Sequence, residues 1–172
     1  ENIKFFATPT PFRHLGFFPD QSPHWLWAAK KIKLHHQLFS NKTPLKILNL
    51  FGYSGLASLH AAANGATVTH IDASKKAINF AFENRNLSSL EHLPIKFITD
   101  DAVKFVQREI RRNNKYDAII LDPPKYGRGP NGEKWELFKD LPFLLNLIPQ
   151  ILSKKPLFII LNSYAIRASY LS

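Results

Sequence analysis

Asp122, Pro123 and Pro124, followed by Lys125 and Tyr126, are the residues of this chain best placed to do chemistry. They close an apolar run, residues 116–121, that reads as a short buried strand. In an open α/β sheet, ligands gather at such strand ends. The prolines have no amide hydrogens and a fixed φ, so Asp122 and the neighbouring carbonyls are expected to be rigid acceptors. Acceptors of this kind can grip a ring nitrogen or an exocyclic amine of a planar base. The same residues also read as a strand-ending turn, and alone they do not decide between the two.

A second constellation favours a ligand. Residues 45–51 form another apolar run, followed by Gly52-Tyr53-Ser54-Gly55 and an alanine-rich helical stretch through Asn64. Glycines let the backbone turn tightly and approach a ligand, and the next helix offers free amides at its N-terminus. The motif lacks the full dinucleotide-type glycine spacing. Residues 67–72 make a third strand ending in Asp72, an acid suited to the two hydroxyls of a ribose. A fourth, residues 94–99, leads into Asp100, Asp101 and Ala102, where an acid can meet an adenine amine. One acid at a strand end reads as a helix cap; Asp72, Asp101 and Asp122 together, after a glycine turn, outline a nucleoside-shaped pocket.

These residues need elements to hold them. The sequence predicts an opening hairpin from residues 3–6 and 12–18. Ser22 is then expected to cap a helix with Pro23 in first position, running to about Phe39. From Pro44 onward, strands near 45–51, 67–72, 95–99, 116–122 and 156–162 alternate with helices, which implies a parallel sheet with right-handed crossovers and helices on both faces. The organisation expected is a hairpin-and-helix segment, 1–43, packing on a catalytic domain, 44–172.

The stretch Leu48-Asn49-Leu50-Phe51-Gly52-Tyr53-Ser54-Gly55, with Asp72, Asp101 and Asp122-Pro123-Pro124-Lys125, resembles the class I S-adenosylmethionine-dependent methyltransferases of Rossmann-like fold. It is most similar to the large-subunit ribosomal RNA base methyltransferases, including the cytosine carbon-5 enzymes. Gly16-Phe17-Phe18-Pro19-Asp20-Gln21 matches a further element of theirs, and the resemblance runs from about residue 13 to about residue 165. It implies that Gly52, Tyr53 and Gly55 line the methionine part of the cofactor, with Asn49 and Phe51 beside them. Asp72 would hold the ribose and Asp101 the adenine, with Ala102 next to the ring. Phe18, Asp20 and Gln21 would close over the cofactor. Asp122 to Tyr126 would be catalytic. The sequence has no methionine, at position 1 or elsewhere, so it is expected to be a processed product, an excised domain or a piece of a longer reading frame. The two further strands of that class's fold, expected to be missing here, favour the last two.

One departure bears on mechanism. The cytosine carbon-5 enzymes place a nucleophilic cysteine just after the fifth strand; Tyr164 stands there, and the chain has no cysteine. Carbon-5 of cytosine becomes nucleophilic only after a thiolate adds to carbon-6, and a tyrosine with a pKa near ~10 is a poor substitute. Transfer to a nitrogen needs only alignment and charge stabilisation.

Composition sets outer bounds. The 172 residues, 45% hydrophobic, suffice for one globular domain. No stretch is long and apolar enough to span a membrane. Without cysteine there are no disulfides and no thiolate-bound zinc or iron–sulfur cluster, which fits a reducing, cytoplasmic compartment. The seven histidines show no metal-ligand spacing, and no metal is expected. A net charge of +10 favours a polyanion, here RNA and by resemblance ribosomal RNA. The basic residues form three groups: Lys30, Lys31 and Lys33 with His35 and His36; Arg108, Arg111, Arg112 and Lys115; Lys125, Arg128 and Lys134. The third flanks a Gly-Pro-Asn-Gly loop at 129–132, expected to fold over the target nucleotide. The other two read as solvated helix faces. Tyr126 and Trp135 could stack on a flipped base, or Trp135 could anchor the helix that follows. Two other functions fit less of this: an NAD-dependent oxidoreductase, which leaves the Asp-Pro-Pro motif unexplained, and a non-catalytic RNA-binding remnant.

Overall fold

Five apolar runs become five parallel strands. The two central ones, Lys46–Leu50 and Ala118–Leu121, are buried almost throughout, because a strand covered by helices on both faces has no side left for polar residues. The edge strands, Ile95–Thr99 and Phe158–Leu161, keep exposed positions. The computed structural model describes residues 3–7, 16–39 and 44–163. In chain order the elements are α1 (Ser22–Phe39), β1 (Lys46–Leu50), α2 (Leu56–Ala63), β2 (Thr67–Asp72), α3 (Lys75–Leu87), β3 (Ile95–Thr99), α4 (Ala102–Arg111), β4 (Ala118–Leu121), β5 (Tyr126–Arg128), β6 (Lys134–Glu136), α5 (Leu137–Leu147) and β7 (Phe158–Leu161). The parallel sheet has the order β3-β2-β1-β4-β7, while β5 and β6 form a separate antiparallel hairpin.

Alternation along the strands divides the core. Leu48 and Leu50 of β1, with Ile119 and Leu121 of β4, pack with Phe105 and Val106 of α4 and Leu144 of α5. Ile47, Val68 and Ile120 face the other way, onto Ala28 and Ile32 of α1 and Ala61 and Ala62 of α2. The chain leaves β1 towards β2 and β3, then crosses back to β4 on the opposite side of β1. That reversal between β1 and β4 opens a crevice at the strands' carboxyl ends, where an open α/β sheet binds its ligands.

The N-terminal expectations need correcting. Residues 3–7 and 16–18 form no strand, so the hairpin is absent among the described residues; residues 12–15 lie outside them. The backbone of the first segment is taken up by α3 instead. The Lys4 amide donates to Ser88 Oγ (3.0 Å), Ser88 Oγ donates back to the Lys4 carbonyl (2.8 Å), and the Phe6 amide donates to Asn84 Oδ1 (2.9 Å). A single 3-10 turn, Pro19–Gln21, runs straight into α1, so Ser22 is already helical rather than a cap. The region between β4 and β7 also differs from plain helix-between-strands, since it opens with the β5–β6 hairpin. Tyr164 lies outside the described residues.

Candidate functional site

The glycine turn after β1 forms one wall of the crevice. Phe51 (φ 58°) and Tyr53 (φ 45°) both adopt left-handed backbone, uncommon for side-chain-bearing residues, and Gly55 (φ 81°) follows at the N-cap of α2. Hydrogen bonds hold this conformation. The Gly52 amide donates to the Ile71 carbonyl (2.9 Å), the Tyr53 amide to Asp72 Oδ2 (3.0 Å) and the Gly55 amide to the Gly52 carbonyl (3.0 Å). Position 52 admits only glycine, since a Cβ there would sit 2.3 Å from Cε1 of the His70 ring. His70 is fully buried, and burial pushes its imidazole down to about 3. Its Nδ1 lies 2.9 Å from Ser58 Oγ, which also accepts from Asn49 Nδ2 (2.9 Å). One polar chain thus ties β1, α2 and β2 together beneath the turn.

The crevice has a volume of about 1230 Å³. Around it the structure brings together Phe18, Asp20 and Gln21 from before α1, Phe51 and Tyr53 from the turn, and Asp72 from β2. Asp101 and Ala102 from the start of α4, and Asp122 and Pro124 from the end of β4, complete the predicted set inside it. The remaining candidates lie elsewhere. Asn49 and Gly52 border a small adjoining recess of about 20 Å³, with the Asn49 amide committed to Ser58. A Cβ at Gly55 would meet Ala81, and Pro123 is buried and does not line the crevice. Lys125 and Tyr126 are exposed outside the lining, with Lys125 Nζ 5.7 Å from the Tyr126 ring centroid.

Each acid meets a different environment. Asp72 Oδ1 accepts from the Ser74 amide (2.8 Å), and Oδ2 from Tyr53 as above. Burial raises its carboxyl pKa, and the two amides oppose that shift. Asp101 Oδ1 caps α4 through the Lys104 amide (2.9 Å). Asp100 pairs with Arg108, so part of the second basic group is neutralised locally. Asp122 Oδ2 accepts from Gln21 Nε2 (2.7 Å), a link across 101 residues that no local pattern announces. Its Oδ1 is buried without a partner among the described residues. Burial raises the Asp122 carboxyl pKa, the Gln21 amide lowers it, Asp20 raises it and His24 lowers it.

Two expectations about the motif change. The Pro124 carbonyl is not a free acceptor, because Trp135 Nε1 donates to it (2.7 Å). Trp135 is buried against Phe51, centroids 4.8 Å apart, which favours the anchoring role of its two expected readings, although its ring also borders the crevice. The 129–132 loop is the tip of the β5–β6 hairpin. Glu133 holds it, accepting from the Asn131 amide (2.9 Å) and pairing with Lys104 of α4 (2.5 Å). The Lys104 ammonium keeps the Glu133 carboxyl down at about 2. Gly127, Arg128 and Gly129 face the crevice from this hairpin. Sequence reasoning missed Phe80, 6.3 Å from the Tyr53 ring, and Asn162, which lines the crevice with an unpartnered buried Oδ1. The available signal for Asn162 was its position, a polar residue directly after the apolar β7. Among the described residues no His, Asp or Glu cluster could hold a metal, and no helix is long and apolar enough to cross a membrane.

A parallel sheet reversing at β1/β4, a glycine turn and acids at successive strand ends define a domain of the class I S-adenosylmethionine-dependent methyltransferase fold. More particularly, the chain belongs to the family described as conserved hypothetical protein 95, whose model matches residues 32–139. A crystal structure of an S-adenosylmethionine-dependent methyltransferase from Agrobacterium tumefaciens is 51% identical, with a TM-score of 0.91 over 98% of this chain and 52% of that one. The ribosomal RNA large subunit methyltransferase K/L of Hahella chejuensis is 32% identical over 139 residues, 80% of this chain and 17% of that protein. Its counterpart in Shewanella frigidimarina is 37% identical over 109 residues, 62% of this chain and 15% of that protein. The chain thus spans about half of the Agrobacterium protein and less than a fifth of these two relatives.

Proposed function

We propose that this chain is the cofactor-binding catalytic domain of an S-adenosylmethionine-dependent methyltransferase that modifies a base of ribosomal RNA at a nitrogen, in the cytoplasm. The observation that carries the reading is the single crevice in which Asp72, Asp101 and Asp122 meet the left-handed turn. Its roughly 1230 Å³ exceeds the ~300–1,000 Å³ of an ordinary small-ligand pocket, leaving room for a nucleoside cofactor and a base together.

The residues present fit the cofactor. The two oxygens of Asp72, fixed by backbone amides, keep further lone pairs for two ribose hydroxyls. Asp101 keeps Oδ2 for an adenine amine while Oδ1 caps α4. Tyr53, with Phe18 6.0 Å away, gives the crevice an aromatic wall. When bound, S-adenosylmethionine supplies an electrophilic methyl group on a sulfonium. Asp122 then holds the base edge and can take up the proton that the methylated nitrogen releases, its raised pKa favouring that uptake. Arg128 at the crevice rim is placed to meet a phosphate of the target nucleotide.

Nitrogen is favoured over carbon-5 because this chain supplies no thiolate to add to carbon-6. The names of the relatives support ribosomal RNA as the substrate. The test is incubation of the protein with tritiated S-adenosylmethionine and ribosomal RNA, alongside RNA carrying 5-fluorocytosine. Methylated nitrogen without a covalent protein–RNA adduct is the expected result; a trapped adduct would overturn it.

A further inference from the structure

Asp122 and Asn162 occupy equivalent places on neighbouring strands. Leu121 of β4 and Leu161 of β7 are register partners, Asp122 and Asn162 each lie one residue beyond, and the Asn162 backbone N–H donates to the Leu121 carbonyl (2.8 Å). Both side chains line the main crevice and its adjoining recess. Asn162 is 8% exposed, yet its Oδ1 has no hydrogen-bond partner among the described residues, and neither has Asp122 Oδ1. Buried acceptors are rarely left unpaired, since each forfeits its hydration for nothing. Two at one strand edge, facing one crevice, form an incomplete arrangement that a donor from outside would complete.

Resting on the methyltransferase reading above, we infer that Asn162 and Asp122 form a two-acceptor grip that selects a nucleobase by its exocyclic amino group. The chemistry follows from counting hydrogens. Two acceptors need two hydrogens, and a primary amine carries both on one nitrogen. Hydroxyl and imino groups offer one; a carbonyl offers none and brings its own lone pairs against the acceptors. The strand spacing suits this: the backbones that carry the two side chains run about 4.8 Å apart. Two oxygens each ~2.9 Å from a trigonal nitrogen are separated by roughly 5 Å. Adenine, cytosine and guanine qualify, whereas uracil and hypoxanthine do not.

The grip also sets up transfer. With both N–H bonds held in the plane of the base, the nitrogen lone pair stands perpendicular to the ring. That pair forms the new N–C bond as the S–C bond of the sulfonium breaks and its electrons remain on sulfur. The proton lost by nitrogen passes to Asp122 Oδ1. Asn162 supplies orientation and discrimination, and is not asked to accept a proton.

The experiment measures binding of amino and deamino nucleotide pairs to protein saturated with S-adenosylhomocysteine: AMP with IMP, GMP with IMP, and CMP with UMP. At least one amino nucleotide should bind about tenfold or more tightly than its partner, the effect of one unpaired buried polar group. In Asn162→Leu that preference should collapse while the affinity for S-adenosylhomocysteine is kept, which shows that the variant is folded. No preference in any pair of the parent protein, or a preference undiminished in Asn162→Leu, overturns the grip and leaves the methyltransferase reading standing. Failure of the parent to bind S-adenosylhomocysteine overturns both.

Discussion

The two sides of the crevice differ in how far their polar groups are already satisfied. On the β1–β2 side, Asp72 accepts from two backbone amides and the turn is held by the protein's own hydrogen bonds. On the β4–β7 side, Asp122 has one oxygen on Gln21, and neither its other oxygen nor Asn162 Oδ1 has a partner among the described residues. On the first side every oxygen of Asp72 already has a backbone partner before any ligand arrives. The unpartnered atom there among the described residues, His70 Nε2, lies beneath the turn and not in the crevice lining. The second side keeps open valences in a buried place, a cost tolerated where a substrate will meet them.

The largest effect should come from breaking the unfinished side. Asp122→Ala is expected to lower methyl transfer at least about 100-fold, the scale for losing one preorganised polar group in an active site. Calorimetry should show S-adenosylhomocysteine binding largely unchanged in that variant; a parallel loss of binding would erase the distinction between the sides. Asp72→Ala should behave in the opposite sense. It should weaken the same ligand by about 1.5–3 kcal/mol, the range for a hydrogen bond to a charged group.

Isosteric amides sharpen the contrast through stability. The folded-state pKa of Asp122 lies above its ordinary 3.8, so the stabilisation of the neutral form is fully present below that value and is lost as pH rises through the raised one. Asp122→Asn removes the titration, so at neutral pH the variant should be more stable than the parent, with the gain fading in acid. Asp72→Asn should show no such gain, because its NH₂ would face a backbone amide that now donates to Asp72. Urea melts at pH 7 and in acid read both variants. The smallest effect concerns the rim: charge reversal at Arg128 should weaken RNA binding more than the same change at Lys33, each shifting the salt dependence by about one to two phosphate contacts. Equal losses would mean a diffuse basic surface.

Most of the finished side was legible in the sequence, because long apolar runs ending in acids are local patterns. The five strands, the glycine turn and the acids at its margins all follow from short windows. The unfinished side depended on contacts made far along the chain. Gln21 reaches Asp122 through tertiary packing, and Trp135 claims the Pro124 carbonyl from a strand of three residues, Lys134–Glu136, too short to show alternation. The expected strand at residues 3–6 failed for a related reason. Residues 3–6 have strand-like composition, but the side chains of Asn84 and Ser88 offered their backbone a nearer set of partners.

His70, beneath Gly52, gives the whole domain a dependence on proton concentration. Buried and held neutral to about pH 3, it cannot take the proton that the unfolded chain accepts near 6.5. Between those two values the unfolded state binds more protons, so acid draws the equilibrium towards unfolding and stability rises as the pH is raised. The packing that lets the chain turn sharply at Gly52 therefore also makes the fold sensitive to mild acid, through a residue that touches neither ligand.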